Sequence, residues 1–232
     1  MAGRARQKEE SRARILASAG RGFRCRGYGG LGVDELAKQA GVTSGAFYAH
    51  FKSKTAAFRE AVIAGLGELR AGIEIMRDAG PGWRERFVDF YIGERRICDL
   101  AESCALQSLT GEVARADDDV REAYGAALRE VIETAAGGMA SMTDVERRAD
   151  AAALLALLAG GVSMARAVKD PVMSEEIVAA VRRAAALLEA GSTQRRTALP
   201  AREAARVHGA PMKRSPKASP KPKAPAGKPS IG

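Results

Sequence analysis

Apolar residues recur at three- and four-residue intervals along most of this chain, the period of helices with a buried face. Ile15, Ala19 and Phe23 give the first stripe; Ser11 is placed to cap it, and a Gly-rich break from Gly27 to Gly32 ends it. Val33, Leu36, Ala37 and Ala40 make a short second stripe that stops at Gly41, where a left-handed residue costs least. Thr43 is placed to cap a third helix. On it, Ala46, Phe47 and Phe51 point inward, and Ser44, Tyr48 and His50 point to solvent. Ser53 caps a long fourth helix carrying Phe58, Val62, Leu66, Ile73 and Met76 near one face. Gly80 and Pro81 stop it at about Asp78.

Pro81 suits the first turn of a fifth helix, on which Trp83, Phe87, Phe90 and Tyr91 cluster. Residues 93–104 read as looser chain, followed by a short helix through Ala105, Leu106, Leu109 and Val113. Asp117, Asp118 and Asp119 open the next helix, where acids suit the positive end of the dipole. Its stripe is Val120, Tyr124, Ala127, Leu128, Val131 and Ile132, and Gly137 and Gly138 end it. Thr143 and Glu146 are spaced as a capping box. The helix they open, to about Val168, is apolar nearly all round and must be covered on several sides. Asp170 and Pro171 break it, and Ser174 opens a last helix through Ile177, Val181 and Ala185. The fold class is therefore all-α. From about Arg195 the pattern vanishes into Lys, Pro, Ala and Ser, a composition that buries too little surface to order itself.

Charge divides the same chain into three. Residues 1–60 sum to +7, residues 61–194 to −7 and residues 195–232 to +9, within a total of +9. Basic ends around an acidic middle suggest a polyanion at the ends and a different task between them. Aromatic residues are only 5%, and the predominance of Ala and Leu favours helix over sheet.

Cys25, Cys98 and Cys104 are odd in number and lack a repeated spacing, which argues against a disulfide framework and fits a reducing cytoplasm. The first residues have no apolar signal segment. The longest weakly polar run, residues 151–165, falls short of the roughly 18 apolar residues of a membrane span. The expectation is a cytoplasmic protein without a membrane partner. The two histidines, His50 and His208, do not lie among Cys, Asp or Glu at metal-ligand spacing. No Gly-rich phosphate loop or nucleophile elbow is present either. No catalytic residue, metal or cofactor is expected, and the chain does not read as an enzyme.

The run AGVTSGAFYAHFKSK resembles the DNA-binding signature of the tetracycline-repressor (TetR) family of bacterial regulators. The likeness rests on Gly41, Val42, Gly45, Tyr48, His50, Phe51, Ser53 and Lys54, and extends back to Ile15, Leu16, Phe23, Gly27 and Tyr28. It covers residues 11–65; beyond them only the helical pattern is similar. The resemblance implies a three-helix helix-turn-helix head at residues 11–55 and a helical effector-binding and dimerisation body at 56–192. A disordered basic arm (residues 1–10) and a disordered Lys/Pro/Ala-rich tail (193–232) flank them. Relatives have Thr or Ser near positions 31 and 32, where this chain has Leu31 and Gly32.

The implied partners are double-stranded DNA, a small-molecule effector and a second copy of the chain. A dimer sets two recognition helices, from Thr43 to Phe51, into successive major grooves. Tyr48 and His50 resemble the family's phosphate contacts, with Lys54 near the same backbone, while Ser44, Gly45 and Ala46 suit base edges. Tyr48 and His50 can alternatively be packing residues. Leu66, Trp83, Phe87, Phe90, Tyr91, Cys104 and Tyr124 are candidates for the ligand pocket, although the aromatic cluster also reads as ordinary core. Leu154, Leu155, Leu158, Val162, Val178, Val181 and Leu188 are candidates for the dimer interface, or else for burial within one subunit. Cys104, near a helix start, is either an oxidant-responsive thiol or a small buried residue. The function implied is a sequence-specific regulator, a repressor released from a palindromic operator by its effector. The alternative is a nonspecific architectural DNA-binding protein acting through its basic tail.

Overall fold

A computed structural model describes residues 2–140 and 143–207, and every regular element among them is helical. The order is α1 Ala2–Arg26, α2 Val33–Gln39, α3 Ser44–His50, α4 Lys54–Asp78, α5 Trp83–Ile92 and α6 Glu94–Ile97. A 3₁₀ turn follows at Leu100–Glu102, then α7 Ala105–Val113, α8 Asp118–Ala136, α9 Asp144–Ala167 and α10 Pro171–Val207. Residues 1–197 form one unit; of the second, 198–232, the described part is the helical end of α10.

The head is built where the caps direct it. Ile15, Ala19, Phe23, Leu36, Phe47 and Phe51 are all buried in its core. The Phe23 and Phe58 rings meet edge to face at 5.1 Å, fastening α1 to α4. Gly41 has φ +68°, and its N–H donates to the Lys38 carbonyl while that of Val42 donates to Ala37. This is a Schellman ending that fixes the turn before α3. Thr43 caps α3 by accepting from the Ala46 N–H at 3.1 Å, and Ser53 caps α4 by accepting from Ala56 at 3.0 Å. Gly32 caps α2 without a side-chain bond, as its lack of a hydroxyl requires.

Two expectations at the N-terminus are corrected. Residues 2–10 belong to α1, not to a disordered arm, and Ser11 lies inside the helix. Helix-forming Arg, Gln, Lys and Glu extend the first stripe backward without an apolar face, and the Arg6–Glu10 ion pair spans one turn.

In the body, α4 runs beside α8, tied by Arg70–Glu130 at 2.9 Å and by Arg77 donating to the Thr134 carbonyl at 3.2 Å. The capping box at Thr143 and Glu146 forms in both directions. Pro81 precedes α5 instead of opening it; Gly82, at φ +77°, occupies the N-cap. Residues 93–104 are less loose than expected, because α6 and the 3₁₀ turn lie within them. The last helix starts at Pro171, a residue suited to a first turn, with the Asp170 carboxylate accepting from Val172 N–H at 2.9 Å.

α10 also runs beyond the expected boundary at 193, to Val207, through Ala- and Arg-rich sequence that also contains Pro200. The disorder expected of 208–232 lies outside the described residues. Of the dimer candidates, Leu154, Leu155, Leu158, Val162, Val178 and Val181 are buried inside the protomer, and Leu188 is half-buried. A helix apolar all round does not reveal which face its own subunit takes. α9 spans the expected range and, at 24 residues, is long and apolar enough to cross a membrane by length and composition; 44% of its most apolar stretch is buried inside the protein.

Candidate helix-turn-helix interface and body cavity

The recognition helix α3 presents Gly45, Tyr48 and Ala49 to solvent, preceded by exposed Thr43. Gly45 has open space around it, so backbone or DNA can approach closely there. Tyr48 is 56% exposed and rests edge-on against the buried Phe47 ring at 5.6 Å. Its hydroxyl is carried at the surface by a fixed ring.

The remaining DNA candidates are more constrained than the sequence suggests. Thr43 spends an oxygen lone pair as the α3 cap but keeps its O–H to donate. Ser44 is half-buried and donates to the Asp34 carboxylate at 2.5 Å. Ala46 and His50 are half-buried, and His50 Nδ1 is buried without a partner. The Lys54 ammonium lies 4.2 Å from the centre of the Tyr28 ring, a cation–π contact that directs it along α4. Tyr28 is itself held by a hydroxyl bond to Thr55 at 2.8 Å. Lys52, which was not singled out from sequence, is exposed in the turn between α3 and α4. Its cationic neighbourhood beside Lys54 was the available signal.

The body candidates divide among three places. Phe87, Phe90, Tyr91 and Cys104 share the wall of one cavity with Gly65, Glu68, Leu69, Gly72, Met76, Arg95, Ser103 and Ala105. It has about 50 Å³ of space for water centres. A single water occupies roughly 10–15 Å³ of such space, so the cavity is compact. Tyr124 instead lines a separate groove of about 420 Å³ between α7, α8 and α9, with Leu106, Leu128, Ile132 and Leu155. Its hydroxyl bonds Thr110 at 2.8 Å. Leu66 is packed in the core, and Trp83 is buried with its indole N–H donating to the Gly138 carbonyl at 3.1 Å. Neither lines the cavity or the groove, so both are corrected to structural roles. Burial is the first cause that raises the Tyr91 phenol well above its ordinary pKa, with Cys104 beside it the second.

One residue that the sequence reading missed connects head and cavity. Arg24 of α1, 9% exposed, donates to the Ala101 carbonyl at 3.2 Å and to the Glu68 carboxylate at 3.0 Å. Glu68 is part of the cavity wall, and Ala101 lies just before Ser103 and Cys104. A polar residue on a basic helix carries no periodic signal, so nothing in the pattern distinguished Arg24 from its neighbours.

The geometry is that of a helix-turn-helix head continued by one long helix into an all-helical body with its own cavity. Residues 15–61 match the model of the bacterial regulatory proteins of the tetR family. Over 53 residues the chain is 43% identical to an uncharacterized HTH-type transcriptional regulator, YdgC, of Bacillus subtilis (strain 168). That match takes in 23% of this chain and 27% of the relative's length.

Among solved structures, the reduced form of NemR from E. coli aligns with a TM-score of 0.62 at 24% identity, over 75% of this chain and 96% of that one. SCO4454, a TetR-family transcriptional regulator from Streptomyces coelicolor, aligns at 0.66 and 19% identity, over 80% and 97%. A TetR-family regulator from Cytophaga hutchinsonii aligns at 0.61 and 21% identity, over 80% and 96%. These likenesses extend the shared fold through the body. Residues 15–61 are thus similar to the DNA-binding segment of the tetR regulators, and the chain shares the fold of these structures.

Proposed function

We propose that this protein is a homodimeric, sequence-specific DNA-binding transcriptional regulator, a repressor that leaves a palindromic operator when a small molecule enters its body. The observation that carries the reading is the Arg24 connection. A cavity wall and the first helix of the DNA-reading head share a charged contact between a buried Arg24 and an exposed Glu68. A ligand that moves Glu68 or the 101–104 segment acts on the head directly. The shift it produces equals its differential affinity for the two conformers, whatever its absolute affinity.

On the head, Tyr48, His50 and Lys52 are the phosphate contacts, and Ser44, Gly45 and Ala46 meet base edges. With so few polar groups on α3, groove shape contributes to sequence preference. The partner copy packs on the faces of α9 and α10 left uncovered in the protomer. Met164, Met173 and Leu187 are large apolar residues exposed there, beside the small Ala156 and Gly160. A four-helix packing of two copies buries them and spaces two heads for a palindrome. Such a protein works in the bacterial cytoplasm.

The test is a binding selection from genomic fragments at physiological salt, using the full chain and a chain ending at Val207. A palindromic site recovered by both supports the specific regulator. Recovery without sequence preference, lost on shortening, favours the architectural alternative, in which the basic tail dominates through salt-sensitive phosphate contacts.

A further inference from the structure

The cavity of α4, α5 and residues 103–105 contains a buried polar group that the protein leaves unsatisfied. Tyr91 is 1% exposed, and its hydroxyl has no protein hydrogen-bond partner of ordinary geometry. The Cys104 thiol adjoins it, at best a weak partner. The other polar groups around the cavity are engaged. Glu68 accepts from Arg24. Arg95 donates to the Glu102 carbonyl and lies over the Phe90 ring. The Ser103 hydroxyl donates to the Leu100 carbonyl and meets Ser108. The rest of the wall is apolar or glycine.

We propose that this cavity binds a compact, uncharged, mostly apolar molecule whose single hydroxyl or carbonyl oxygen meets the Tyr91 hydroxyl. The proposal rests on reading the body as effector-binding, and it names the chemical class of the effector. Size sets the first limit: the void suits one ring or a short chain. Charge sets the second. Glu68 is paired with Arg24, and the Arg95 guanidinium is turned onto the Glu102 carbonyl and the Phe90 ring, so an ionic ligand enters a site whose remaining wall is apolar and offers its charge no free counter-group. Hydrogen bonding sets the third. Burial keeps the Tyr91 phenol in its neutral form, able to donate and to accept. A ligand without an oxygen leaves that hydroxyl unpaired, and sites built this way discriminate strongly against such analogues.

Phenol and toluene make the test, because they share a shape and differ in the oxygen. Each is titrated into the full-length protein and into Tyr91→Phe, by calorimetry and without DNA. Phe keeps the ring and its packing, so the fold is preserved. The expected result is that phenol binds the wild-type protein about tenfold more tightly than toluene or better. In Tyr91→Phe the two converge because phenol alone weakens. Equal binding of both by the wild-type protein overturns the proposal. So does a preference unchanged in Tyr91→Phe, failure of either to bind up to its solubility, or benzoate binding more tightly than phenol. A parallel measurement adds phenol to the protein–DNA complex. Tyr91-dependent binding with no change in DNA affinity supports the cavity assignment while removing the effector-release reading, so the two can fail separately.

Discussion

The Arg24 guanidinium on α1 donates to the Glu68 carboxylate on α4 at 3.0 Å, across a sequence separation of 44 residues. A second nitrogen of the same group reaches the Ala101 carbonyl. Arg24 therefore bridges the long helix and the short 3₁₀ turn; α4 borders the cavity, and the turn leads directly into the cavity residues Ser103 and Cys104. Its Nε is buried without a partner, so the contact is not optimised for stability alone.

Arg24→Met keeps the aliphatic packing and removes both bonds. Glu68 is 69% exposed and regains water, so the stability cost is about 1 kcal/mol, a fall of roughly 2–4 °C in Tm for a chain of this size. The larger expected effect is functional. Ligand binding persists, while the drop in DNA affinity it causes shrinks toward none. Ligand and DNA titrations on the variant check this; a full response in Arg24→Met assigns the coupling to other contacts.

The head was legible because its signals are local. Gly41, Thr43 and Ser53 each state a boundary within a few residues, and the aromatic stripe between them has one possible inside. The body was less so. Leu154 and Leu158 are no different in sequence from residues that meet a second copy, since both kinds are apolar and only packing separates them. Phe87, Phe90, Tyr91 and Cys104 share one cavity wall, because α5 spacing and proximity in sequence bring them together. Tyr124 was not separable from them, as its position depends on how α8 rotates against α7. The Ser44–Asp34 bond joins two helices through side chains that each suit solvent, so it left no trace in the pattern.

Lys52 is exposed between the recognition helix and α4, and its ammonium carries no ion pair among the described residues. Lys52→Ala is expected to weaken DNA binding nearly equally for specific and nonspecific sequences. The slope of log affinity against log salt should fall by about one per head. Fluorescence titrations at several salt concentrations measure it. A change in sequence preference at constant slope makes Lys52 a base reader instead.

Tyr91 gives the fold a pH dependence of known sign. Burial raises its pKa in the folded state, so the folded protein holds the phenolic proton more tightly than the unfolded chain. Below the unfolded value of about 10 both states are protonated and the contribution is fully present. As pH rises above that, the unfolded state ionises first and stability is lost. Tyr91→Phe lacks this loss. Urea denaturation from pH 7 to 11 should show a constant difference between the two proteins up to about pH 9, then a shift in favour of the variant. A difference that stays flat to pH 11 contradicts a neutral buried phenol.

Two glycines on α4 separate packing from propensity. A Cβ at Gly65 lies 2.4 Å from the Ala105 Cβ and 2.9 Å from the Arg24 guanidinium, whereas one at Gly67 meets nothing within 4 Å. Gly67→Ala is expected to stabilise by about 0.5–1 kcal/mol through helix propensity. Gly65→Ala gains the same propensity but forces α4 from α7, with a net loss of about 1–2 kcal/mol and a weakened Arg24 contact. Equilibrium unfolding of both variants decides it; equal effects mean that α7 moves aside freely.

Leu158 and Leu187 distinguish a subunit core from a subunit interface on the same pair of terminal helices. Leu158 of α9 is fully buried in the protomer, and Leu187 of α10 is 68% exposed. Leu158→Ala removes core contacts and is expected to cost about 2–5 kcal/mol whatever the oligomeric state. Leu187→Glu disturbs no packing within the protomer, so its helical circular dichroism should remain. In a dimer built on the uncovered faces, however, it buries an unpaired carboxylate at the contact, and the dimer should dissociate. Sedimentation velocity over a concentration series reads that change. Because two heads are needed to grip a palindrome, the dissociated variant should also lose operator affinity while a single half-site is still bound weakly. A Leu187→Glu protein that remains dimeric puts the two-fold axis on another face of the body.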